Sequence, residues 1–215
     1  MRYMVKKSVR KSLVIKITPE GRIVVLAPVK CTDRFIDDFV NKKREWIEGK
    51  LQDIQDTKVS RAEYYNLEKF IIFGDYHDVL DMGEYYDVGG YHINKIKNKP
   101  IKDCFLSYAW QKAEEYLPER LAYISKTLGL EYSNLKIISA RKKWGSCNNK
   151  KEIRLNFRLI MLPRYLIDYV ICHELCHTQI LNHSKDFWNM IKKIGFNKRE
   201  VKDKFRPYGF ILQML

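Results

Sequence analysis

Between residues 3 and 28 apolar and polar side chains alternate, in Leu13-Val14-Ile15-Lys16-Ile17 and again in Arg22-Ile23-Val24-Val25-Leu26, with Thr18-Pro19-Glu20-Gly21 between the two runs. A period of two broken by proline and glycine predicts a β-hairpin. The period then lengthens. Thr32 stands ahead of Asp33 as a capping residue, and Phe35, Ile36, Phe39 and Val40, followed by Trp46, Ile47 and Leu51, predict a helix. The polar stretch from Lys58 to Glu63 predicts a linker, and residues 68–97 return to short strands punctuated by Gly74, Gly83, Gly89 and Gly90.

The second half has a different rhythm. A helix is expected from about Ile101 to Leu128, closed by Gly129, with Pro118 inside it predicting a kink or a break. Leu135-Lys136-Ile137-Ile138-Ser139-Ala140 and Ile153-Arg154-Leu155-Asn156-Phe157-Arg158-Leu159 predict strands on either side of Trp144-Gly145-Ser146-Cys147. Pro163 opens a helical pattern that runs to Leu181, and Ser184 precedes a further helix over Lys185 to Ile194, with Gly195 placed to end it. Helix, strands, helix, helix is an α+β unit. The expected organisation is therefore a β-rich N-terminal region with one helix over 1–100 and a second region over 101–215.

Composition narrows the class. A chain of 215 residues with 13% aromatics can bury a core and is not a disordered sequence. No apolar run approaches the ~20 residues that span a bilayer, and the first twelve residues lack the apolar stretch of a signal peptide, so a cytoplasmic location and no membrane are expected. Five scattered cysteines, Cys31, Cys104, Cys147, Cys172 and Cys176, suit reduced thiols better than a disulfide framework. The net charge of +14 is uneven: Lys136, Arg141, Lys142, Lys143, Lys150, Lys151, Arg154 and Arg158 face only Glu152. That cluster could steer nucleic acid or another acidic partner, although an ordinary basic surface accounts for it equally well and no nucleic-acid module signature accompanies it.

The chemistry lies in His173-Glu174-Leu175-Cys176-His177 and in His183. Histidines four apart lie on one helix face, about 40° out of line, so both imidazoles reach one ion. Glu174 then stands beside the open position of the metal, the arrangement of the H-E-x-x-H metalloproteases. Leu166, Val170, His173 and His177 share a stripe, and two histidines on an otherwise apolar stripe are more easily explained by a metal than by two separate buried hydrogen bonds. His183 joins them only if the helix stops first, since continued helix would rotate it roughly 120° from His177. Asn182, tolerant of left-handed backbone, suits that break. The third histidine is spaced as in H-E-x-x-H-x-x-G-x-x-H, with Ile180 in the glycine's place. A rival third ligand, Glu200, sits in a solvated-looking Lys-Arg-Glu-Val-Lys run. Cys172 and Cys176 lie about 100° from the histidine face and are read as small buried residues. Gly145 suggests a tight turn or a close backbone approach, and Trp144 a buried anchor.

With Arg141-Lys142-Lys143-Trp144-Gly145-Ser146-Cys147, Asn156, Leu162-Pro163, His173-Glu174-Leu175-Cys176-His177, Asn182-His183-Ser184 and Phe187-Trp188 on one chain in this order, the sequence resembles the YgjP-like zinc metallopeptidases over nearly its whole length. That branch is similar to the SprT-like proteases. The resemblance implies a zincin-type fold, Zn2+ held by His173, His177 and His183, Glu174 as catalytic acid and base, and a protein or peptide substrate. Three neutral histidines leave one position for water, whose pKa falls from about 15.7 toward 7 on zinc. A second oxyanion donor is expected from Tyr208, Tyr165 or Arg141. The alternative is a non-catalytic zinc module that recruits nucleic acid or a protein complex through its basic surface. Such a site would be closed by four protein ligands and would have no use for Glu174.

Overall fold

The computed structural model describes residues 1–18, 21–52, 54 and 69–213. The chain divides into two units, Met1–Ala62 and Glu63–Leu215. In the first, β2 (Val14–Ile17) and β3 (Ile23–Pro28) form the expected antiparallel hairpin; the middle of its turn, residues 19–20, lies outside the described residues. A strand that alternation alone did not resolve, β1 (Met4–Ser8), pairs parallel to β3 and makes the order β1-β3-β2. Being central, β3 buries Ile23, Val25 and Ala27 on one face. Helix α1 (Asp33–Lys42), whose first turn is capped by Thr32 accepting from the Phe35 amide, buries Ile36 and Val40 in the same core, and helical chain resumes over 44–52 with Ile47 inside. The linker expected at Lys58–Glu63 lies outside the described residues.

The second unit begins with an antiparallel meander of β4 (Lys69–Ile72), β5 (Asp75–Asp81), β6 (Tyr85–Val88) and β7 (Tyr91–Asn94). Helix α2 (Ile101–Leu128) follows. Its Cys104, Phe105, Ala109, Ala113, Leu117 and Leu121 share one core with Phe70, Ile71, Ile72, Val88 and Ile93 of the meander. Pro118 neither breaks nor ends α2, which runs on to a left-handed Gly129. The Glu114 carbonyl that loses its amide partner belongs to an exposed residue, so water can serve it. Next come β8 (Asn134–Ile138), β9 (Gly145–Cys147) and β10 (Glu152–Asn156), in the order β8-β10-β9 with β8 parallel and β9 antiparallel to the centre. The segment at 145–147 is thus an edge strand where a connecting loop was expected. The strand expected to continue through Leu159 ends at Asn156, whose side chain caps a 3-10 turn over Phe157–Met161. Helices α3 (Arg164–His177), α4 (Lys185–Lys193) and α5 (Lys198–Phe205) complete the α+β order of helix, strands, helix and further helix. No helix among the described residues is long and apolar enough to cross a membrane.

Two contacts set α3 in place. Arg120 of α2 grips Asp168 of α3 with two parallel bonds, Nε to Oδ1 at 2.7 Å and an outer guanidinium nitrogen to Oδ2 at 2.8 Å. At the start of α3 the β4–β5 turn presses on Pro163. Phe73 and Gly74 both have positive φ, 51° and 92°, as a two-residue hairpin of this hand requires. The Phe73 amide donates to the Ile160 carbonyl at 2.7 Å, and a Cβ on Gly74 would stand 2.6 to 2.9 Å from Pro163 atoms. Gly74→Ala should therefore destabilise the protein by about 1–3 kcal/mol. Chemical denaturation checks this, and a midpoint equal to the wild type would mean that the turn is not pinned.

Candidate metal centre

Helix α3 is apolar over most of its circumference, burying Leu166, Ile167, Val170, Ile171, Cys172, Leu175 and Cys176, so the polar Glu174 and His177 are buried with them. It stops at His177, four residues before the apolar pattern does. Thr178 turns its hydroxyl back to the Leu175 carbonyl at 2.8 Å, and the next turn brings the Ile180 carbonyl to His177 Nδ1 at 2.9 Å. The break before His183 is made differently from expectation. Asn182 is not left-handed; its Oδ1 accepts from the Ser184 amide at 3.1 Å, and Ser184 Oγ in turn caps α4 by accepting from the Phe187 amide.

These turns bring the three sequence-predicted histidines together. His177 Nε2 and His183 Nε2 lie 3.2 and 3.0 Å from His173 Nε2, and the three ligand atoms fall within 4.8 Å of one another. Zinc–nitrogen bonds of about 2.0–2.1 Å in tetrahedral geometry would space such atoms about 3.3–3.4 Å apart. The Ile180 carbonyl can only accept, so His177 Nδ1 carries the proton and its Nε2 offers a lone pair inward. Tyr169 touches His173 Nδ1 through its hydroxyl at 3.4 Å. Burial, reinforced by its two neighbours, pushes His173 down to about 3, and burial lowers His177 as well, so both are held as neutral donors.

Glu174 is 5% exposed, and its Oε2 has no hydrogen-bond partner among the described residues. Its side chain lies flat on Gly145: a Cβ there would stand 2.8 Å from Glu174 Cγ and Oε1. The close backbone approach expected at Gly145 is thus an approach to this carboxylate. Burial pushes Glu174 up to about 8, against a smaller opposing pull from the Lys143 ammonium. Lys143 is steadied by Ser146 Oγ at 3.1 Å. The strand beneath is clamped by fully buried Asn156, whose Nδ2 donates to the Ala140 and Lys143 carbonyls at 2.7 and 3.0 Å and whose backbone amide donates to the Trp144 carbonyl at 2.8 Å.

Tyr208 directs its hydroxyl to the Gly74 carbonyl at 3.5 Å, Tyr165 packs on Phe196 under the Lys204 ammonium, and Arg141 is exposed. Glu200 pairs with Lys204 on the surface of α5. Arg158 is no part of a basic surface: it is fully buried, donates to Ser139 Oγ at 3.1 Å and lies over the Phe157 ring. Burial pushes Cys147 up to about 11 and Cys172 and Cys176 up to about 12, so all three stay thiols. Sequence reasoning missed Tyr169 and Lys143 as neighbours of the site. Tyr169 stands one turn before His173 on the same face, a spacing that could have flagged it; Lys143 is brought in only by the strand pairing.

A buried carboxyl group thus stands beside a three-histidine cluster on α3 and the chain that follows it, with the edge strand β9 against the carboxyl group. The family model described as YgjP-like, metallopeptidase domain matches residues 11–207, and the chain belongs to that family. Among solved structures, the crystal structure of the metallopeptidase zymogen of Pyrococcus abyssi abylysin is 21% identical, overlapping 41% of this chain and 90% of its own at a TM-score of 0.37. No curated protein matches the chain. Neither the family nor the structure adds support for a nucleic-acid partner.

The raised Glu174 gives a pH signature in the metal-free protein. Folded, it ionises near 8; in an unfolded chain it ionises near its ordinary 4.5. Between those values the folded state keeps a proton that the unfolded state has released, so this group's contribution to stability falls as pH rises. Glu174→Gln removes the effect. The melting temperature of the metal-free variant should gain on the wild type steadily from about pH 4.5 to 8, and a gap that stays constant across the window counts against a buried carboxylate.

Proposed function

We propose that this metallopeptidase is a zinc enzyme that hydrolyses peptide bonds in proteins or peptides, with His173, His177 and His183 holding Zn2+ and Glu174 as general base. The observation that carries the reading is the convergence of three Nε2 atoms one residue from a buried carboxylate with an unpartnered oxygen. The donor set fits: three imidazoles suit zinc or a neighbouring transition ion and not Ca2+ or Mg2+, which take oxygen ligands. Among the described residues no fourth His, Cys, Asp or Glu joins the three, as a closed structural site would need. When bound, zinc supplies Lewis acidity, polarising a carbonyl and making water more acidic.

The chain's own residues do the rest. Glu174 takes a proton from the attacking water at its unpartnered Oε2 and later delivers it to the leaving amine nitrogen. Its burial among apolar side chains raises its affinity for that proton, and the Lys143 ammonium tempers the rise, keeping the group able to give the proton up near neutral pH. Gly145 holds the carboxylate by leaving room for it. Tyr169 and the Ile180 carbonyl keep His173 and His177 turned inward.

Elemental analysis after dialysis should find about one zinc per chain, lost in a His173→Ala/His177→Ala double variant. Glu174→Gln should keep the zinc while peptide hydrolysis falls by about a hundredfold or more. Equal rates in the wild type and this variant would remove Glu174 from the reaction. Gly145→Ala should also keep zinc but push the carboxylate out of place, with a loss on the order of a hundredfold in kcat/KM. Unchanged hydrolysis in Gly145→Ala would show that the contact with Glu174 has no part in the chemistry.

A further inference from the structure

Of the three clustered histidines, His183 is the least secured. His173 and His177 ride on α3, and the Ile180 carbonyl fixes the ring of His177, whereas His183 is exposed, lies on irregular chain, and has no hydrogen bond at Nδ1 among the described residues. Its ring plane is set by aromatic faces. Trp188 stacks on it with centroids 5.6 Å apart and planes 25° apart, and the Lys198 ammonium covers Trp188, 3.8 Å from a ring centroid. Phe187, next in the chain to Trp188, stacks on His177 at 4.5 Å and 22°.

The two faces belong to consecutive residues of α4. Consecutive side chains leave a helix about 100° apart, and the rings of Phe187 and Trp188 stand at 89° to each other. The planes of His177 and His183 stand at 86°, 4.7 Å apart. The right angle between the Phe187 and Trp188 rings is thus matched by the two imidazoles stacked on them. The three rings that are to share one tetrahedral ion cannot all lie in a common plane, and Phe187 also makes edge contacts with His173 at 72° and with His183 at 75°. Such stacked and edge-on pairs lie within the range in which aromatic contacts attract.

We propose that the Phe187–Trp188 pair is a template that orients the imidazoles of His177 and His183 for the ion, and that Trp188, backed by Lys198, is the positioning residue that makes an exposed histidine a tight ligand. The proposal rests on the reading of these histidines as the metal ligands. Lys198 strengthens the stack by its attraction to the indole face; Phe187, fully buried, serves both the template and the core.

The test uses the full chain loaded with Zn2+ and, separately, with Co2+, and four readouts: zinc affinity in competition with a chromogenic chelator, release rate into excess EDTA, the visible Co2+ spectrum, and the melting temperature of the metal-free form. Trp188→Leu keeps an apolar side chain but loses the flat face. It should weaken zinc binding roughly tenfold or more, speed its release and shift the Co2+ bands, with a smaller effect on the metal-free melting temperature. Trp188→Phe should recover most of the loss. Lys198→Met, a surface change that leaves the core intact, should speed release by about two- to fivefold. Release at the wild-type rate from both Trp188→Leu and Lys198→Met overturns the proposal, as does equal weakening in Trp188→Leu and Trp188→Phe, which would mean that bulk and not ring plane matters. Failure of the wild-type chain to bind one zinc would instead overturn the function proposed above.

Discussion

Two imidazole nitrogens stand 3.0 and 3.2 Å from a third, beside a buried carboxyl group, a spacing at which their lone pairs repel one another unless a proton or a metal ion sits among them. The surrounding structure is arranged around that unfavourable grouping. The apolar girth of α3 buries Glu174 and His177, the Arg120–Asp168 pair and the Phe73–Gly74 turn hold α3 in place, and Gly145 leaves room for the carboxyl group. A buried polar group left without a partner costs stability in the free protein. An ion that enters such a site therefore gains affinity from relief of that cost.

Much of the centre was legible because it is local. The histidines on one helix follow from a period of 3.6, and the reversal that returns His183 follows from the capping residue Ser184 and the polar Asn182 ahead of it. The mechanism of that reversal was misassigned, since Asn182 bends the chain through a side-chain acceptor and not through left-handed backbone. Helix α2 was legible up to its end at Gly129, and of the two outcomes expected at Pro118 the break does not occur; the cost of a proline depends on whether the orphaned carbonyl can reach water, which a sequence does not show.

Pairing was the harder part. Alternation shows which residues share a face but not which strand lies alongside, so the parallel partner of β3 and the neighbour relation of β8 and β10 came only with the fold. The same limit hid the role of residues 145–147. Gly145 announced a close approach in the sequence, yet its target, 29 residues later on a different element, depended on β9 forming the edge beside α3. Arg158 failed for a related reason: charge predicts exposure only until a hydroxyl and a buried ring are found to receive it.

The Asn156 amide has a consequence for how this sequence can change over time. Its Nδ2 holds two carbonyls of the segment that leads into β9, and its Oδ1 holds the amide of Arg158. No other residue type carries two donors and an acceptor in so small a planar group at that reach. The segments it joins are therefore not free to drift separately: a lineage that replaced Asn156 would have to reinvent the path of residues 140–145 and the seat of the Glu174 carboxylate in the same step.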